Sequence, residues 1–146
     1  MPNPGVPACA NCGCSTKITY PIVEWGQIDP IMLPNGSAAS VSLLIYRSTA
    51  IPQLSNKILF GDMPSGEVFH VSADAVPAGG QDAIRRVLFV TAAGAVPRPA
   101  LELIKEKNRA QGKPEAARAD LRFDANAAGQ IFLLNKADGV IRVVEK

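Results

Sequence analysis

With 146 residues the chain has room for one domain with a real core. An apolar content of 47% excludes a disordered chain, and the net charge of +2 is carried by lysines and arginines spread along the sequence. With no basic run interleaved with aromatics and no apolar stretch near the ~20 residues of a membrane span, nucleic-acid binding and membrane crossing have no support.

The first sixteen residues carry Pro2, Pro4 and Pro7 with Gly5 and Gly13, a composition that predicts irregular structure. They also lack the charged and apolar regions of a secretory signal. All three cysteines fall here: Cys9, Cys12 and Cys14 in a C-x-x-C-x-C array. C-x-x-C places two sulfurs within reach of one tetrahedral metal, so a thiolate metal site is one reading. A Cys9–Cys12 or Cys9–Cys14 disulfide is a second, and three inert thiols in a leader a third. Gly13 stands where a c-type haem motif needs histidine, which rules that motif out. The expected division is an irregular leader over 1–17 and a β-rich body over 18–146.

Ile18 to Trp25 (ITYPIVEW) is expected as a short strand, with Pro21 demoting it to an edge or a bulge. Ser40 to Tyr46 (SVSLLIY) is a strand by its β-branched and aromatic content. Ile58 to Gly61 and Glu67 to Val71 form a hairpin around the turn Asp62-Met63-Pro64-Ser65-Gly66. Asp62 is expected to bond its own backbone there, as turn aspartates do. His70, the only histidine, alternates with Phe69 and Val71 and reads as a solvated or hydrogen-bonded strand residue. Ile84 to Thr91 (IRRVLFVT) should continue the same sheet. Pro99 could open a short helix over about 99–110, with Leu101 and Ile104 on one face, Glu102 paired to Lys105, and Gly112 ending it. Lys107 to Arg118 reads as a polar surface excursion.

The last segment, Ala119 to Val144, organises the rest. Gln130 to Leu134 and Val140 to Val144 are apolar runs separated by Asn135-Lys136-Ala137-Asp138-Gly139, and Asp-Gly is a hairpin signal. Ile131 and Leu133 point to one face, Phe132 and Leu134 to the other. A strand apolar on both faces needs cover on both sides, and the radially stacked sheets of a β-propeller supply it.

Two motifs, "YR…IP.L..K..FGD..SG.VF" within Tyr46–Phe69 and "R.DLRF…A.G.IFLL.K.DGVIR" ending at Arg142, resemble the C-terminal end of the soluble quinoprotein sugar dehydrogenases. These glucose/sorbosone dehydrogenases are six-bladed propellers that oxidise aldoses with pyrroloquinoline quinone (PQQ). The resemblance implies an all-β fold: antiparallel hairpins forming about two blades of an incomplete propeller. It also implies PQQ and calcium as cofactors, a sugar substrate, and a periplasmic or secreted setting. In that family a histidine takes the anomeric proton while hydride passes from C1 to the quinone, and calcium polarises the quinone. An arginine just before the last strand pair reaches the cofactor's carboxylates; Arg118 matches that position best and Arg122 next, and a planar fork of permanent charge suits the task. An ordinary pairing of these arginines with Asp120 and Asp124 is the competing reading.

The family's loop with a His-Asp-Glu-Gly-like sequence is replaced here by residues around Ile31, Met32 and Leu33, and the Gly-Gly that follows by Ala39-Ser40 or close to it. No segment offers a histidine in a Gly-rich loop or a calcium-binding carboxylate array, and no other catalytic motif is present. No catalytic residue is therefore assigned. A propeller repeat takes about 40–50 residues, so a chain of this length holds too few blades to close a six-bladed ring. The expectations are the C-terminal part of a quinoprotein aldose dehydrogenase, with catalysis belonging to the intact ring, or a non-catalytic β module that oligomerises through open strand edges.

Overall fold

The computed structural model describes residues 21–26, 29 and 39–146. The leader with Cys9, Cys12 and Cys14, and the 31–33 replacement, lie outside the described residues. Among these residues the fold is all-β with one helix: two antiparallel sheets, one of four strands in the order β1-β2-β3-β4 and one of three in the order β5-β6-β7. Neither closes into a barrel.

The first sheet comprises β1 (Ser40–Tyr46), β2 (Lys57–Asp62), β3 (Val68–Ser72) and β4 (Arg85–Val87). Period-two alternation gives it two apolar faces. Leu44, Tyr46, Leu59, Val68 and Val87 point inward, towards the second sheet. Ile58, Phe60, Phe69 and Val71 point outward. Ser42, with φ of 53°, sits in a bulge where the β1–β2 register shifts between Val41 and Leu43. The bulge frees its hydroxyl oxygen to accept the Phe123 N–H of the second sheet at 3.1 Å.

The second sheet comprises β5 (Leu121–Ala125), β6 (Ile131–Asn135) and β7 (Ile141–Val144). Leu121, Phe123, Ile131 and Leu133 are almost completely buried against the first sheet, in a core shared with Ile51 and Leu54. At about 1.5–3 kcal/mol for each large apolar side chain, this face-to-face burial is the main force joining the sheets. Gly61 allows the close approach, because a Cβ there would meet Phe123 Cε1 at 2.9 Å. Two backbone bonds add to it: Ala119 N–H donates to the Pro64 carbonyl and Leu121 N–H to that of Met63.

The helix α1 spans Ala100–Ala110. Pro99 is the residue before it rather than its first residue, in extended conformation at φ −67° and ψ 159°. Leu101 and Ile104 enter the shared core, Lys105 Nζ reaches Glu102 Oε1 at 2.9 Å, and Gly112 adopts φ of 65° just beyond the end. The polar excursion expected from Lys107 therefore starts later, since helix continues to Ala110. The strand expected over Ile84 to Thr91 is also shorter. Beyond Val87 only Phe89 pairs, in an isolated bridge to Arg98.

Pro21 to Gly26 is not a strand. Proline cannot donate to a ladder, and the segment instead runs as an irregular strap over the outward face of the first sheet. It is fixed by Glu24 N–H to the Gly80 carbonyl and Gly79 N–H to the Ile22 carbonyl, both at 3.1 Å. Trp25 stacks on Phe60 with ring centroids 5.3 Å apart, and Ile22 and Val23 pack beside it. The strap covers β2 and β3 but leaves Leu43 and Ile45 of β1 exposed.

Candidate functional site

The hairpin turn after β2 meets the start of β5 where the two sheets adjoin. A shallow open depression of about 520 Å³ lies there, lined by Met63, Asp120, Arg122, Leu134, Asn135 and Lys136. Met63 comes from the β2–β3 turn, Arg122 and Leu134 from cross-strand partners on β5 and β6, Asn135 from the end of β6 and Lys136 from the turn into β7.

Of the two arginines matched to the quinone contact, Arg122 lines this depression and Arg118 does not. Arg118 Nε is bonded to Asp120 Oδ1 at 2.6 Å, in an exposed pair beside it. Arg118 thus takes the Asp120 pairing of the competing reading, whereas Arg122 does not pair with Asp124. Arg122 alternates outward from the core residues Leu121 and Phe123 and is exposed. Its Nη1 donates to the Leu121 carbonyl at 2.7 Å, which fixes the guanidinium, and it has no carboxylate partner among the described residues. Lys136 likewise has none. The depression therefore presents two cations with no ion-pair partner among the described residues, beside Asp120 and over an apolar floor of Met63 and Leu134. Such a surface attracts a carboxylate attached to a flat apolar body.

The turn that bears Lys136 is held by its own hydrogen bonds. Asp138 N–H donates to Asn135 Oδ1 and Val140 N–H to Asp138 Oδ1, each at 3.0 Å. Burial raises the Asp138 pKa, but the Arg142 guanidinium and the Val140 and Asn135 bonds together outweigh it and hold the carboxyl below its ordinary value. Sequence reasoning did not single out Lys136. Its position in a turn between two strands was legible, but not that it lines one depression with Met63 of the β2–β3 turn.

Asp62 is a structural residue, as expected of a turn aspartate. It is fully buried, and its carboxylate accepts the Ala39 N–H at 2.6 Å and the Ser65 N–H at 2.9 Å. His70 lies half-buried on the inward face of β3, outside the depression, with Nδ1 unpartnered among the described residues. Burial lowers its pKa, and the nearby cations Lys57 and Arg85 lower it further. Among the described residues no carboxylate is bonded to it.

The residues present fit the implied cofactors unequally. Arg122 and Lys136 suit one carboxylate edge of a quinone such as PQQ, though a tricarboxylate needs further walls. Calcium takes six to eight oxygens. Among the described residues no three acidic, histidine or cysteine side chains gather in one place, so they do not fit that ion. No helix among them is long and apolar enough to cross a membrane. The fold and depression define an open two-sheet β stack with a basic rim. Compared with models of known protein families, with curated proteins and with solved structures, the chain matches none.

Proposed function

We propose that this chain forms two adjacent blades from the C-terminal part of a quinoprotein aldose dehydrogenase of the glucose/sorbosone type. The oxidation of a sugar at C1 with PQQ then belongs to the complete ring, in a periplasmic or secreted setting, and the chain alone acts as a sheet-stacking module. The observation that carries this reading is the packing of one sheet on the other. Their strands β1 and β5 lie side by side, joined by the Ser42–Phe123 bond, as the neighbouring strands of adjacent blades would. The apolar outward face of β5-β6-β7 is where a further sheet would stack. In this reading Arg122 and Lys136 contact the carboxylates of the quinone, and Arg118 positions Asp120 at the rim.

Titration of PQQ into the chain, followed by its absorbance, tests the proposal. Weak binding is expected that weakens with added salt and is lost in Arg122→Gln, with no sugar-dependent dye reduction by the chain alone. Absent binding, or binding indifferent to Arg122→Gln, would remove the quinone reading. Sugar oxidation by this chain without further blades would overturn the division of labour.

A further inference from the structure

The outward face of β5-β6-β7 carries six side chains in two rows across the strands. The registers place Asp124 beside Phe132 beside Val143 in one row, and Arg122 beside Leu134 beside Ile141 in the next. Leu134, Ile141 and Val143 are 39%, 64% and 43% exposed, and no described residue is packed over them. On the opposite side of the molecule, the strap bearing Trp25 already occupies β2 and β3. A copy of the bare face therefore cannot lie flat on the first sheet of another molecule.

The rows have a self-complementary order. A two-fold axis in the plane of the face, at right angles to the strands, exchanges one row with the other. Asp124 then faces Arg122 of the second copy, Phe132 faces Leu134, and Val143 faces Ile141. Both charged residues are exposed and neither has an ion-pair partner among the described residues. Isologous pairing of this kind closes after two subunits, and sheets stacked face to face keep their strands nearly aligned.

We propose that the sheet covering this face, when the chain stands alone, is that of a second copy, giving a two-fold dimer of four stacked sheets. The inference rests on the reading that this face receives another sheet, and not on any reading of PQQ or sugar. Because the patch is smaller than the 20–30 residues a side of a stable interface, the dimer should be weak and concentration-dependent.

Sedimentation velocity and light scattering over a concentration series test it on the whole chain. The wild type should pass from monomer to dimer, and Ile141→Asp should remain monomeric. Arg122→Asp and Asp124→Arg should each weaken the dimer at least tenfold by placing like charges opposite one another. The double variant Arg122→Asp with Asp124→Arg should restore it, an outcome that a folding defect cannot produce. A monomer at every concentration up to about 0.5 mM overturns the proposal, whether the face stays bare or is shielded from hydrogen exchange by another stretch of the same chain. A dimer unmoved by Ile141→Asp, held by strand edges or by the cysteines, overturns it equally. PQQ binding that persists in a monomer would leave the quinone reading standing while this one fails.

Discussion

The Tyr46 hydroxyl donates to the Gly129 carbonyl at 2.6 Å, inside the protein and across 83 residues of sequence. Tyr46 ends β1 in the first sheet, and Gly129 lies in the β5–β6 turn of the second. The bond therefore pins the relative position of the two sheets. Tyr46→Phe keeps the ring and leaves a buried carbonyl unpaired, at a cost of about 1–2 kcal/mol in denaturant unfolding. Gly129→Ala should cost more, roughly 2–4 kcal/mol, because φ there is 80° and the new methyl would stand 2.1 Å from Ser48 Oγ. Equal effects from the two substitutions would contradict this account.

Asp62 organises the β2–β3 turn on which Ala119 and Leu121 dock. Asp62→Ala strips two backbone N–H groups of their acceptor and should destabilise by about 2–4 kcal/mol, with Asp62→Asn intermediate. Proteolysis between Pro64 and Gly66 should accelerate with the same ranking. A neutral Asp62→Ala would show that water replaces the carboxylate without loss.

Trp25 is the only tryptophan, so its fluorescence reports the strap alone. Its stacking on Phe60 predicts emission shifted to the blue in the native state. Unfolding followed by this signal should coincide with unfolding followed by circular dichroism, if strap and sheet form one cooperative unit. Trp25→Ala should lower stability by about 1–2 kcal/mol, less than for a fully buried ring. A fluorescence transition well before the dichroism transition would show that the strap detaches first.

His70 gives the pH dependence a defined sign. Its folded pKa lies below the ordinary 6.5, so the unfolded chain binds the proton more readily. The stability it contributes is present at neutral pH and is lost as pH falls through about 6.5 towards and below the folded value. His70→Gln should flatten the stability profile between pH 7.5 and 5.5, about a unit on either side of that value. An unchanged slope in that variant would assign the loss to other groups.

Much of the local structure is legible in the chain. The alternation of Ser40–Tyr46, the turn chemistry of Asp62 to Gly66 and the apolar spacing of Leu101 and Ile104 each name their element, because those preferences act over a few residues. The apolar pattern of Ile18–Trp25 suits a strand, with Pro21 the one signal against it, yet its described part, from Pro21 on, presses Trp25 onto Phe60, a partner 35 positions away. The depression was half visible. Arg122 could be picked out beside Arg118, but only the fold shows that Arg118 spends its charge on Asp120 while Arg122 shares an open surface with Lys136.

By itself the sequence determined an all-β chain of antiparallel hairpins with one helix, since period, turn residues and apolar content are local quantities. Only the tertiary structure decided that the two sheets stack face to face, that the strap closes the far side of one, and that no described residue covers the apolar rows of the other. These depend on which faces meet across long separations, and an alternating strand specifies that a face must be buried without specifying against what.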